Sequence, residues 1–169
     1  ANLQTTITCE KAKFNISSKS GEDFSYLPYV EKTETIQLSQ FTLKEIIRQT
    51  IFSIADNDSN KMMSGELFQI ENNMLKVVSL DGHRISIRKT ELKDSYQSKK
   101  VVVPGKTLIE VSKILSGEVE NEVTISFTSN HIVFEFDNTV VVSRLIEGEY
   151  FRIDQRDLRA YKHRCRVSA

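Results

Sequence analysis

The dipeptide Asp81-Gly82 sits between two stretches that alternate apolar and polar residues, "LKVVSL" before it and "RISIRK" after it. Asp-Gly in that setting folds a chain back on itself with positive φ at both turn positions, so the two arms pair antiparallel. Upstream, "GELFQIE" also alternates, and Asn72-Asn73 marks another turn, so residues 65–92 predict a strand meander. "TTITCEKAKFNI" at 5–16 alternates about a polar "CEKAK" turn and predicts a hairpin. "DFSYL" at 23–27 and "ETIQLSQ" at 34–40 read as further strands.

Two segments break this period. "FTLKEIIRQTIFSIA" has Leu43, Ile46, Ile47, Ile51, Ile54 and Ala55 at the spacing of one buried helical stripe. Thr42 followed by Glu45 matches a capping box, and "ADNDSN" supplies turn formers at the other end. After a strand "KKVVVP", the segment "GKTLIEVSKILSG" predicts a second helix, with Pro104 at its start and Gly117 as C-cap. Two more strands follow, "EVTISFTS" and "HIVFEFDNTVVVSRLIEGEY". Two helices among roughly eight hairpin-joined strands define an α+β fold of mostly antiparallel sheet.

Composition narrows the classes of function. Lys+Arg and Asp+Glu both total 23, so no net field recruits nucleic acid, and a basic surface must come from local arrangement. Apolar runs such as "VVV" at 101–103 are far short of a membrane span, and without a charged-then-apolar stretch at its start no secretion signal is expected. Cys9 and Cys165 stand at opposite ends, which predicts a reducing, cytoplasmic setting and no disulfide framework. Three scattered histidines give no metal-ligand pattern, and no cofactor or metal is expected.

The chain also resembles itself. "TITCEKAKFNI" (6–16) aligns without a gap on "TISFTSNHIVF" (124–134), an offset of 118 that later sets Phe24 on Val142, Ser25 on Ser143 and Leu27 on Leu145. Either two amphipathic hairpins coincide, or the chain begins inside one module and contains the next. The second alternative makes 1–32 the tail of a first domain, 33–154 a complete module and 155–169 a non-matching tail.

Asp81 and His83 could in principle act as acid and base, yet nothing supplies a nucleophile, a phosphate loop or a partnered second carboxylate. A hairpin turn with His83 and Arg84 as exposed edge residues fits the same pattern. Elsewhere, Lys106 and Lys113 share a face of the second helix, as Lys44 and Arg48 do on the first. Such stripes suit a phosphate-lined surface without base readout, or an ordinary solvated face, and Glu45 and Glu110 dilute them.

Three segments carry a family resemblance. "VVSLDGHRIS", "KKVVVPGKTLIEVSKIL" and "SRLIEGEYFRID" are similar, in order, to segments of the bacterial sliding clamp, the beta subunit of DNA polymerase III. The resemblance covers about residues 1–155. It implies the DNA-clamp fold, with two helices per domain lining a hole and sheets outside, and two three-domain subunits closing a ring around duplex DNA. It implies no active site: the ring tethers the polymerase.

The family's DNA-facing positions fall on Lys106, Lys61 and Asn57, to which helix geometry adds Arg48 and Lys113. The family's groove for a short linear motif of polymerases, the clamp loader and repair proteins falls on Met63, Leu80, Gly82, His83, Arg84, Ile85 and Phe151. Leu80 stands where the family often has Thr, and Phe151 where it often has Pro, so motif preference is expected to differ. Residues 156–169, "RDLRAYKHRCRVSA", match no clamp segment. With most of a first domain and all of a third absent, a monomer is expected instead of a ring. The competing expectations are a small α+β enzyme using Asp81 and His83, and a regulatory binding module unrelated to DNA.

Overall fold

The computed structural model describes residues 3–24, 34–55 and 60–153. Residues 25–27 of the expected third strand, Asn57, both domain boundaries and the 156–169 tail lie outside the described residues.

Strands β1 (Gln4–Cys9) and β2 (Ala12–Ser17) form the first hairpin, closed by Glu10 and Lys11 with Glu10 at φ 50°. A 3-10 turn at Gly21–Asp23 stands where "DFSYL" predicted the start of a strand, and the Ser20 hydroxyl accepts the Glu22 amide there. Strand β3 (Glu34–Ser39) runs directly into helix α1 (Gln40–Thr50). The cap lies three residues before the expected box: Ser39 Oγ accepts the Thr42 amide at 3.4 Å, while Glu45 turns to Arg48. Ile51 and Ile54 fall past the helix, in and just after a 3-10 turn at Ile51–Ser53.

Strands β4 (Gly65–Leu80) and β5 (Ile85–Pro104) pair as one long antiparallel ribbon in place of the predicted meander. Asn72 reverses nothing; it sits at φ 54° between two register shifts. The parity of the core explains this. Phe68 and Ile70 face the core before the shift and Leu75 and Val77 after it, and only a bulge moves inward residues from even to odd positions. "KKVVVP" is accordingly the end of β5. The Asp81-Gly82 turn spans Asp81 to Arg84, with positive φ at Gly82 only. Two-residue hairpin geometry is unnecessary here because the Asp81 carboxylate itself organises the turn, accepting the amides of His83 and Arg84, each at 3.0 Å.

Helix α2 (Gly105–Ile114) follows Pro104 as expected. It ends at Leu115, and Gly117 adopts no left-handed cap, because the free Ser116 amide is taken by Gln40 Oε1 at 2.8 Å. Strands β6 (Glu122–Phe127), β7 (His131–Phe136) and β8 (Thr139–Arg144) complete the module. The segment expected as one final strand is thus a hairpin turning at Asp137-Asn138, with Asp137 at φ 50°. The second sheet has the order β3-β6-β7-β8. The self-similar stretches are both hairpins, but their registers differ: Cys9 pairs with Ala12, whereas Phe127 pairs with Ile132 around a longer turn.

The core lies between the helices and both sheets. Leu43, Ile46 and Ile47 of α1, Leu108 and Val111 of α2 and Leu115 just after it pack with Phe68, Val77, Ile125 and Phe134 in one core. Their burial supplies the main driving force for the fold. The helices run antiparallel. Lys44 near the start of α1 donates to the Leu115 carbonyl at 2.9 Å, and Gly105 at the start of α2 abuts Ile51 and Ile54 beyond the end of α1. Buried Gln40 locks this arrangement, donating to the Glu122 carbonyl and accepting from Ser116. It continues the inward alternation of Ile36 and Leu38, which makes a buried polar residue at position 40 legible in the sequence.

Candidate functional site

The outward stripes of the two helices have similar make-up. α1 presents Phe41, Glu45 and Arg48, and α2 presents Lys106, Ile109, Glu110 and Lys113. Their charges are not equally available. Arg48 is held bidentate by Glu45, at 2.8 and 2.7 Å, and Lys113 by Glu110 at 2.8 Å. Glu45 is kept below the usual carboxylate range by that Arg48 bond. Lys44, expected beside Arg48, is spent on the end of α2.

Lys106 and Lys61 are exposed and form no ion pair among the described residues. The 3-10 turn Lys61–Ser64 presses against the start of α2: a Cβ on Gly105 would come within 2.9 Å of the Ser64 carbonyl. These two lysines therefore belong to neighbouring segments at one end of the helix pair. A lysine in the first turn of a helix opposes the helix dipole, so Lys106 is poorly placed for stability alone.

On the far side of the β4–β5 ribbon, a second apolar cluster is built from Met62, Leu67, Val78 and Val102. Ile85, Ile87, Ile146, Tyr150 and Ile153 pack against it. Ile146 is fixed there by its amide, which donates to the Val102 carbonyl at 2.9 Å, and Tyr150 by its hydroxyl, which donates to the Val78 carbonyl at 3.4 Å. Of the expected groove residues, Ile85 joins this cluster and Leu80 pairs with it across the ribbon. Phe151 meets Tyr150 edge-on, with centroids 5.7 Å apart. Gly82, His83 and Arg84 form the exposed turn at the ribbon's end.

Met63 is half-buried and is not a member of the cluster; the preceding Met62 fills that place. A 3-10 turn precedes β4, and its period of three blurs which of two adjacent methionines faces inward. Val78 and Ile87 were readable from the sequence, since they continue the alternation of Leu80 and Ile85.

The same turn removes the acid–base possibility at Asp81. Its carboxylate binds two backbone amides and Arg84 Nε, the last at 2.7 Å, and no bond runs to the His83 imidazole. The Arg84 bond, followed by the two amides, holds Asp81 down to about 2, so it stays an anion with its oxygens engaged.

Two antiparallel helices over paired antiparallel sheets, with cations on the helix side and an apolar patch on the other, define a module of the DNA-clamp fold. The sequence profile of the DNA polymerase III beta subunit, central domain, matches residues 37–151, and the chain belongs to that family. The Staphylococcus aureus beta sliding clamp is 37% identical over 148 residues, which cover 88% of this chain and 39% of that protein. The solved structure of a DNA polymerase III beta subunit from Eubacterium rectale is 72% identical, with a TM-score of 0.83 over 92% of this chain and 42% of that one. The Bacillus subtilis DNA polymerase sliding clamp is 33% identical, with a TM-score of 0.80 over 91% of this chain and 42% of that one. The chain thus spans about two fifths of the length of the relatives it matches. No helix among the described residues is long and apolar enough to cross a membrane.

Proposed function

We propose that this chain is the central part of a non-catalytic, cytoplasmic processivity clamp, within a subunit whose dimeric ring encircles duplex DNA. On this reading residues 33–154 are the middle module and 1–32 the end of the preceding one. The helix side meets the DNA and the outer face of the β4–β5 ribbon receives short motifs of polymerase, clamp-loader and repair proteins. The observation that carries the DNA side is Lys106 and Lys61, without an ion pair among the described residues, beside helix stripes whose other charges are neutralised within the helix. Sliding needs phosphate contacts that are few, exposed and blind to sequence, and such cations suit that task.

The test is duplex binding by fluorescence anisotropy at graded salt. Two duplexes of unrelated sequence should bind alike and weakly, at roughly 1–100 μM near physiological salt. Lys61→Ala with Lys106→Ala should reduce the slope of log K against log salt by roughly 2. Arg48→Ala should change it less, since it frees Glu45 as it removes a cation. A marked sequence preference, or an unchanged slope in the double variant, would contradict the reading.

A further inference from the structure

Three lysines share the outer face of the β4–β5 ribbon. Lys76 stands directly opposite Lys89, and Lys100 opposite Gln69. Like charges directly across a ladder destabilise it. None of the three forms an ion pair among the described residues. Lys76 is half-buried, and its ammonium is pushed below the usual lysine range by burial first and then by Lys89. Glu71 opposes this only from a distance.

Lys76 and Lys100 line a depression of about 880 Å³ that runs past Leu67 and Val102 to Tyr150 and Phe151. The depression therefore opens one continuous path from the lysines to the apolar cluster. Resting on the groove assignment above, we propose that it takes an acidic stretch flanking the apolar anchor of a partner peptide, with carboxylates seated on Lys76 and Lys100. Charge complementarity selects that occupant. Lys76, Lys100 and Arg152 outnumber Glu147 and Glu149 in its lining, so separate carboxylates can reach the cations while the two acids repel a continuous phosphate backbone. The chain's own "RDLRAYKHRCRVSA" carries five Lys/Arg against one Asp and has the wrong sign for this site.

The test uses the 169-residue chain and labelled peptides sharing a Leu-Phe anchor, flanked on either side by four Asp or four Asn. At low salt the Asp peptide should bind roughly tenfold tighter, as expected for two or three partly screened pairs, and the gap should close in high salt. Lys76→Gln with Lys100→Gln should erase the gap and leave the Asn peptide's affinity unchanged. Equal binding of both peptides at low salt, or a gap that survives the double variant, overturns the lysine assignment alone. If only the Asp peptide binds, the lysines stand and the apolar groove fails; if neither binds, both fail. Displacement of the Asp peptide by single-stranded DNA at lower concentration than by free Asp peptide overturns the proposal in favour of nucleic acid.

Discussion

Replacing Glu66 by glutamine should abolish most of the pH dependence of this protein's stability between pH 5 and 8. Glu66 lies on the helix side of β4 opposite Val103, fully buried, and neither carboxyl oxygen has a hydrogen-bond partner among the described residues. Burial pushes it up to about 8 from an ordinary value of 4.5. The neighbouring Thr50 hydroxyl opposes this only in part, since it gives its proton to the Ile46 carbonyl at 2.8 Å. The folded chain thus holds Glu66 as a neutral acid, while the unfolded chain ionises it near 4.5. Stability is full below that value, declines as pH rises towards 8, and is flat beyond it. At about 1.4 kcal/mol per unit, the loss from pH 5 to 8 is on the order of 3 kcal/mol. Asp81, held down to about 2, titrates below this window. Urea unfolding at both pH values measures the difference, which in Glu66→Gln should fall below about 1 kcal/mol. Parallel pH profiles for the two proteins would show that Glu66 is ionised in the fold.

The second large effect is steric. A Cβ on Gly65 would lie 2.6 Å from the Val103 carbonyl oxygen, 2.8 Å from Ile146 Cδ1 and 3.0 Å from Val102 Cγ1. The carbonyl belongs to the paired strand and cannot yield without opening the end of the ribbon, while Ile146 and Val102 hold the outer cluster together. Gly65→Ala should therefore cost about 3 kcal/mol, or on the order of 10 °C in Tm. It should also perturb the outer apolar cluster, because the clash reaches the Val102–Ile146 bridge. Gly117→Ala is the control: nothing lies within 4 Å of its Cβ and its backbone is not left-handed. Equal stability of the two variants would mean that β4 and β5 are more loosely joined at Gly65.

How much of this was legible beforehand depends on the range of the interactions involved. The α+β class, both helices and the Asp81-Gly82 reversal follow from local period and turn chemistry. The continuity of β4 through Asn72-Asn73 does not, because the same residues that build a turn also build a bulge. Only the opposing strand, with its inward Val101 and Val103, decides between them. The Ser39 cap of α1 was hidden for a similar reason, since the Gln40 amide is satisfied by the distant Asn121 carbonyl. At the site, the self-neutralised pairs Glu45–Arg48 and Glu110–Lys113 were legible from i,i+3 spacing, and they change what the helix cations can do. That Met62, and not Met63, packs in the outer cluster depends on tertiary packing. The lysine shelf joins residues far apart in sequence through the ribbon's register, which only the structure supplies.

On the proposed function, the two faces of one module serve two partners: helices to DNA, outer ribbon to peptide. Amide chemical-shift mapping on the 15N-labelled chain tests it most directly, with a duplex and an apolar Leu-Phe peptide added in separate titrations. The duplex should move resonances of Lys61, Lys106 and the exposed stripes of α1 and α2. The peptide should move Met62, Ile85, Ile87, Tyr150 and Phe151, each weakly and without disturbing the other set. Duplex-induced shifts centred on Asp81–Ile85, or peptide-induced shifts centred on α1 and α2, would contradict it.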